Sequence, residues 1–385
     1  MELEKNSPEE GQAPDVEAVV RGNTEFALDL YQQLRTVEGN LFFSPYSISV
    51  ALAMTLAGAR GDTETQMAQT LHLELDQARL HPALASLEAR LDGVQQGGHI
   101  QLRVANALWP QEGYPFLESF LALVKRYYGV SITSLDYGKE GLARETINNW
   151  AEEKTEGKVK DLIARGILGG QTLLVLTNAI YFKGDWANQF DEDLTRDAPF
   201  WTTPDAKIEV SMMAQQHRYG YWENDSLQVL ELPYAGEEVS MIVLLPRRRD
   251  GFEELEGALS VETLNEWTGD LEKQKVEVFL PRFRLEYETE LGKTLQSMGM
   301  RDAFGDRANF AGMDGTDSLY IFQVIHKAFV DVNEQGSEAA AATAVVMRLK
   351  SLSLAPVFLA DHPFVFAIRE NSTGSILFLG RVVSP

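Results

Sequence analysis

At 385 residues, 44% of them hydrophobic, the chain has material for one large globular domain or two. A formal net charge of −23 argues against nucleic acid and anionic membrane surfaces as partners. The absence of cysteine excludes a disulfide framework, thiol chemistry and thiolate metal sites. From the N-terminus, residues 1–22 read as a flexible, acidic, solvated leader. Its first part, Met1 to Asp15, has no apolar core, so no signal peptide is visible. No apolar run approaches the roughly 20 residues that span a bilayer.

A helix is predicted over Thr24 to Leu34, with Phe26, Leu30 and Tyr31 on one face. Ser44 can cap the next helix, and Pro45 suits its first turn. The run Tyr46 to Leu56 is apolar on every side, the pattern of a buried helix, and Gly58 and Gly61 end it. Leu75 to Leu91 reads as a helix carrying the cations Arg79, His81 and Arg90, and 99–110 as a strand. Tyr114 to Tyr128 and Glu145 to Glu153 read as helices, and 155–162 as a turn. The apolar run 172–186 is interrupted by Asn178, and QVIHKAFVDV is interrupted by His326. Each needs a buried hydrogen-bond partner, since an orphaned polar group costs about 1–3 kcal/mol. Residues 200–283 alternate short strands and turns, including a hairpin turned at Ala235-Gly236. Arg247, Arg248 and Arg249 form the only basic run, read as a solvated loop or a protease exosite. The chain closes on two strands around a turn at Asn371 to Gly374. Asn371-Ser372-Thr373 and Asn224-Asp225-Ser226 are also glycosylation sequons.

The patterns of enzyme chemistry are missing. There is no G-x-S-x-G and no H-E-x-x-H. The six histidines, at 72, 81, 99, 217, 326 and 362, have no ligand spacing. Gly292-Lys293-Thr294 looks like the tail of a phosphate loop, but Tyr287 stands where its first glycine belongs.

The stretch from Glu334 to Ser351, EQGSEAAAATAVVMRLKS, is the unusual one. Ser337, Ala339, Ala341, Thr343, Val345 and Met347 share one parity and carry no charge, while Glu334, Glu338, Arg348 and Lys350 share the other. That period of two belongs to a half-buried strand. Its small residues favour strands poorly, so the segment is able to be a strand without being obliged to be one. An alanine-rich helix is the competing reading, because five of the six residues from Ala339 to Ala344 are alanine.

The flanks of this stretch, HKAFVDVNEQGSEAAAATA and FLADHPFVFAIRENSTGSILFLGRVVSP, resemble the serpin family. So do NLFFSPYSISVALAMTLAGARGDT, TEGKVKDL and TLLVLTNAIYFKGDW, so the resemblance runs from about Asn23 to Pro385. It implies a single α+β domain over 23–385, with three β-sheets, eight or nine helices and an exposed reactive-centre loop at about 334–356. It implies a serine-protease inhibitor, not an enzyme, that acts as a suicide substrate. The loop is cut, inserts as a strand into the main sheet and leaves the protease trapped as an acyl-enzyme. Glu334, Gly336, Ser337, Glu338, Ala339, Ala340, Ala341 and Ala342 would be the loop hinge. Ser44, Ser47, Asn178 and His326 would form a shutter under the main sheet. Trp186, Arg282 and Glu334 would form the breach where the loop first enters, with Arg282 paired to Glu334. Counting along the loop as in the family puts the scissile bond between Lys350 and Ser351, which suits a trypsin-like protease. Arg348 and Leu349 are register alternatives, and Leu349 would suit a chymotrypsin-like or elastase-like enzyme. A non-inhibitory carrier or chaperone is the alternative function. No metal or cofactor is implied, a monomer is expected, and the missing Lys/Arg cluster speaks against heparin. The family favours an extracellular location, with a cytoplasmic one as the alternative.

Overall fold

The computed structural model describes residues 13–337 and 355–385. Among them are ten α-helices and two hydrogen-bonded sheets. The larger sheet has nine strands. Its path runs from Leu41–Phe43 through the C-terminal hairpin Ile376–Val382 and Phe364–Glu370, then through Val239–Pro246 and Leu227–Pro233. It continues through Lys207–Glu223 and Glu272–Pro281 to Val357–Leu359, with Arg196–Trp201 beside Lys207–Glu223. The 17-residue strand Lys207–Glu223 is long enough to pair with Glu272–Pro281 through its middle and with Leu227–Pro233 at its end. The third sheet that the family resemblance implies is therefore continuous with this one. The smaller, central sheet has six strands, in the order Phe283–Glu290, Val324–Val332, Gly336–Ser337, Leu174–Asp185, Ile100–Pro110 and Ser131–Ile132.

Helix Pro45–Leu56 sits between the two sheets, against Leu174–Asp185 on one side and Ile376–Val382 on the other. Every one of its residues is buried, as its all-round apolar sequence predicts, and Ser44 caps it by accepting from the Ser47 N–H. The first helix runs Ala13–Leu34, so the expected leader is already helical from Ala13. Val16, Val19 and Val20 are buried and extend, turn by turn, the stripe of Phe26, Ala27, Leu30 and Tyr31. Gly22 lets that helix cross close to the His72 backbone, because a Cβ there would lie 2.2 Å from the His72 carbonyl oxygen. Helix Gly61–Thr70 had no clear sequence signal; it buries only Thr63, Met67 and Thr70. The remaining predicted elements stand within a few residues of their expected limits, as Gln77–Gln95, Ile100–Pro110, Glu118–Tyr128, Glu140–Lys154 and Leu174–Asp185.

Candidate functional site

The central sheet contains a seam. Strands Leu174–Asp185 and Val324–Val332 run parallel and pair directly from Val324↔Leu176 to Phe329↔Tyr181. Beyond that point they diverge, and Gly336–Ser337 lies between them, antiparallel to both. Ser337 is opposite Val332 on one side and Gly184 on the other, and Gly336 is opposite Asp185. The chain reverses after Val332 through a tight turn: the Asn333 side-chain oxygen accepts from the Gln335 and Gly336 N–H groups at 3.1 and 3.3 Å. Only glycine fits at 336, since a Cβ would sit 2.0 Å from the Gly184 carbonyl oxygen. The start of the period-two stretch is thus a strand, wedged into the open end of a parallel pair. Parallel pairing is slightly the weaker kind per residue.

Three expected breach residues meet at this wedge. Glu334 is 1% exposed, and both its carboxylate oxygens accept from Arg282 Nε at 2.8 Å. The Thr195 hydroxyl donates to the same carboxylate, and the Glu334 carbonyl accepts from the Phe190 N–H at 2.8 Å. Burial pushes the Glu334 carboxyl up, but the Arg282 and Thr195 hydrogen bonds outweigh it and hold the group below its ordinary range. A forked, half-buried pair of this kind is not the exposed ion pair that contributes about 0–1 kcal/mol. Trp186 reads the turn through its backbone, donating Nε1–H to the Asn333 carbonyl at 2.9 Å and its own N–H to Gln335 O at 2.8 Å. Its ring stacks on Tyr234 at 4.5 Å, and the Tyr234 hydroxyl is 2.8 Å from the buried Ser337 Oγ. Thr195 and Tyr234 carry no sequence signal for this role, because each reaches the wedge from a distant part of the chain.

The four expected shutter residues also converge, further down the seam. His326 and Asn178 are register partners, and Asn106 is opposite Asn178 on its other side, so three polar residues form one row across three strands. The row faces the N-terminus of helix Pro45–Leu56. His326 Nδ1–H donates to Asn178 Oδ1 at 2.6 Å, and Nε2 accepts from the Ser44 N–H at 3.2 Å. The Asn178 amide donates to the Ser47 carbonyl at 2.9 Å, to Asn106 Oδ1 at 2.6 Å and to the Ser47 hydroxyl. Asn106 was not singled out from the sequence; its place opposite Asn178 is set by sheet register alone. These bonds satisfy the amide in an apolar sheet and, by the same contacts, tie both seam strands to one helix.

That network needs a neutral imidazole. Burial pushes the His326 pKa down from 6.5 to about 3. Its contribution to stability is complete above pH 6.5 and is lost as pH falls from there towards 3, at up to about 1.4 kcal/mol per pH unit. His81, buried against the Tyr128 hydroxyl and pushed to about 4, adds a loss of the same sign. Between pH 7 and 5 the melting temperature of His326→Gln is expected to fall less, or rise more, than the parent's, because the buried Glu88 carboxyl, pushed up to about 7, acts with the opposite sign in both proteins. An unchanged slope in that variant would remove His326 from the account.

The opposite face of the seam is covered by helix Glu140–Lys154 and the segment after it. Val159, Leu162, Ile163 and Leu168 pack on Trp109, Val175, Ala179 and Ile325. Asn148 shapes this segment with two bonds to Ile163, at 2.7 and 3.0 Å. Lys327, beside His326 but on this other face, donates to the Lys160 carbonyl at 2.9 Å and pairs with Glu286 and Glu288. The cover is therefore fastened to both sides of the seam.

The other singled-out cations are already engaged. Arg247 pairs with Glu223, Arg248 with Asp250 and Arg249 with Asp361. Arg79 binds Asp15 and Arg90 the Ser372 hydroxyl, while His81 is buried. Both sequon asparagines do turn work: Asn224 accepts from Ser226 and Leu227, and Asn371 donates to Glu237 O and Ser240 Oγ. Glu338, Ala339, Ala340, Ala341, Ala342, Lys350 and Ser351 lie outside the described residues.

The family model for serpin (serine protease inhibitor) matches residues 21–385. The chain is a serpin. Leukocyte elastase inhibitor of Sus scrofa is 44% identical to it over 381 residues, covering 96% of this chain and all of that one. The Homo sapiens protein of the same name is 42% identical, with the same coverage. Serpin B4 of Homo sapiens is 40% identical, over 94% of this serpin and 98% of that one. Among solved structures, uncleaved ovalbumin superposes with a TM-score of 0.87 at 32% identity, over 96% of this chain and 100% of that one. Human thyroxine-binding globulin complexed with its hormone gives 0.88 at 33%, over 96% and 99%. The leukocyte elastase inhibitors are inhibitors by name and not catalysts, which accords with the missing catalytic patterns.

Proposed function

We propose that this serpin inhibits a serine protease by offering residues 334–356 as a suicide substrate. On this reading the protease attacks the bait carbonyl. The freed loop then continues the strand that Gly336–Ser337 has begun, and the tethered acyl-enzyme is carried away before water releases it. The single observation that carries the reading is the wedge: a buried, uncharged Ser337 held antiparallel between two strands that are joined only by a parallel ladder below it. The sequence beyond it supports continuation, with Ala339, Ala341 and Thr343 on the inward parity and no proline before Pro356. The chemistry belongs to the protease, and this chain supplies the geometry.

The target class turns on one residue. Two of the named relatives are leukocyte elastase inhibitors, which favours a cut after the apolar Leu349. The family count from Glu334 favours Lys350 and a trypsin-like enzyme instead. Incubation with elastase and, separately, trypsin tests both. A band at the summed mass on a denaturing gel supports inhibition. A released C-terminal peptide beginning at Lys350 supports the elastase-like reading, and one beginning at Ser351 the trypsin-like one. Clean cleavage with no complex, by every serine protease tried, would favour the non-inhibitory alternative.

A further inference from the structure

Val357–Leu359 is the last strand of the larger sheet, hydrogen-bonded to Glu272–Pro281 on one side only among the described residues. It is well anchored. Phe358 is fully buried, the Glu277 N–H donates to Pro356 O, the Ala360 N–H donates to Phe279 O, and the Gln228 amide donates to Val357 O. Its alternate residues face out, with Val357 48% and Leu359 40% exposed. Register places Leu359, Phe279 and Ala214 in one row, and Val357, Glu277 and Gln216 in the next. Arg218 and Lys275, a register pair, follow as an exposed cationic row on the same face. An apolar centre with a polar rim is how a transient protein interface is built. A bare strand edge is also a place where natural proteins avoid apolar exposure unless something covers it.

We propose that this face is a secondary docking surface for the target serine protease; the proposal rests on the function proposed above. Reach carries it. Lys350 is seven residues before Val357, so a protease at the bait is at most about 25 Å from this strand along the chain. A globular domain of about 250 residues has a radius of gyration of about 18 Å, so its body reaches the strand when it docks with its bulk on this side of the loop. The protease surface that meets it is apolar beside its cleft, with acidic groups opposite Arg218 and Lys275.

The test compares Leu359→Arg and Val357→Ser with the parent and with Leu142→Ser, a change at a 62% exposed leucine on helix Glu140–Lys154. Each is mixed with the protease that the parent traps, and the second-order rate of covalent complex formation is measured with the stoichiometry and melting temperature. Leu359→Arg is expected to slow association about five- to tenfold, Val357→Ser less, with stoichiometry unchanged and Leu142→Ser at the parent's rate. Equal rates in all four proteins would overturn the proposal while leaving inhibition intact. A parent that dimerises on gel filtration, and ceases to in Leu359→Arg, would assign the face to a second copy and likewise overturn it. A parent that traps no serine protease overturns the function and this inference together.

Discussion

Replacing Ser337 by arginine is expected to turn this serpin from an inhibitor into a substrate. Ser337 is fully buried between the seam strands, its hydroxyl held by Tyr234 and its neighbour Gly336 by the Gly184 and Asp185 backbone. A guanidinium there has no carboxylate to meet, because Glu334 is already engaged by Arg282. An unpaired charge in such a site costs several kcal/mol, so the variant hinge is expelled from the wedge in the uncut protein and must bury the guanidinium to insert, and every 1.4 kcal/mol added to that barrier slows insertion tenfold. Cleavage itself is untouched, since the bait lies well beyond the hinge. The protease therefore deacylates first, and the gel shows cut serpin and free enzyme instead of a complex. Ser337→Ala separates this effect from simple loss of a hydrogen bond. It removes only the Tyr234 contact, about 1 kcal/mol, and should keep trapping with a stoichiometry near the parent's. If Ser337→Arg traps as efficiently as Ser337→Ala, the hinge has been placed on the wrong residues.

Much of this arrangement is legible in the chain before any coordinates. The all-round apolar run after Ser44-Pro45 predicts a buried capped helix, and the isolated Asn178 and His326 announce buried polar groups that must find partners. What is missing from sequence is whatever register creates. Asn106 looks like one more strand residue until antiparallel pairing sets it opposite Asn178, 72 positions away. Tyr234 and Thr195 stand just outside their strands, after Leu227–Pro233 and before Arg196–Trp201, and reach the wedge only because the larger sheet abuts the open end of the seam. The N-terminal half of helix Ala13–Leu34, before the predicted start at Thr24, is hidden for a different reason. Its stripe of Val16, Val19 and Val20 is diluted by charged neighbours, and its packing against the His72 turn is invisible in one dimension. The sheet count differs because a strand as long as Lys207–Glu223 belongs to two neighbourhoods at once.

Cutting the loop is expected to make the molecule more stable, and the register already in place says where the gain comes from. Ser337 is opposite Gly184 and Val332 in antiparallel ladders. Six residues further along the same two ladders, Thr343 falls opposite Asn178 and His326, between the two residues that now bond each other. Its parity is that of the inward-facing Ser337, so its hydroxyl would arrive in the one polar row of the seam, and the apolar residues around it would meet alanine. Insertion from Glu338 to Met347 exchanges a short parallel ladder for two antiparallel ones. At about 0.5–1.5 kcal/mol for each of roughly a dozen extra backbone hydrogen bonds, this gives on the order of 10 kcal/mol. At about 2 cal/mol/K per residue of unfolding entropy, that raises the melting temperature by roughly 10 °C or more. Calorimetry before and after limited cleavage measures it. Thr343→Val keeps the size and removes the hydroxyl, leaving the parted Asn178 and His326 without the partner that replaces each other. The cleaved variant should therefore lose about 1–3 kcal/mol of the gain, measured against its own uncut form. A cut parent that melts where the uncut one does would mean that the loop does not enter the seam. A cut Thr343→Val that matches the cut parent would mean that it enters in a different register from the one Gly336 and Ser337 begin.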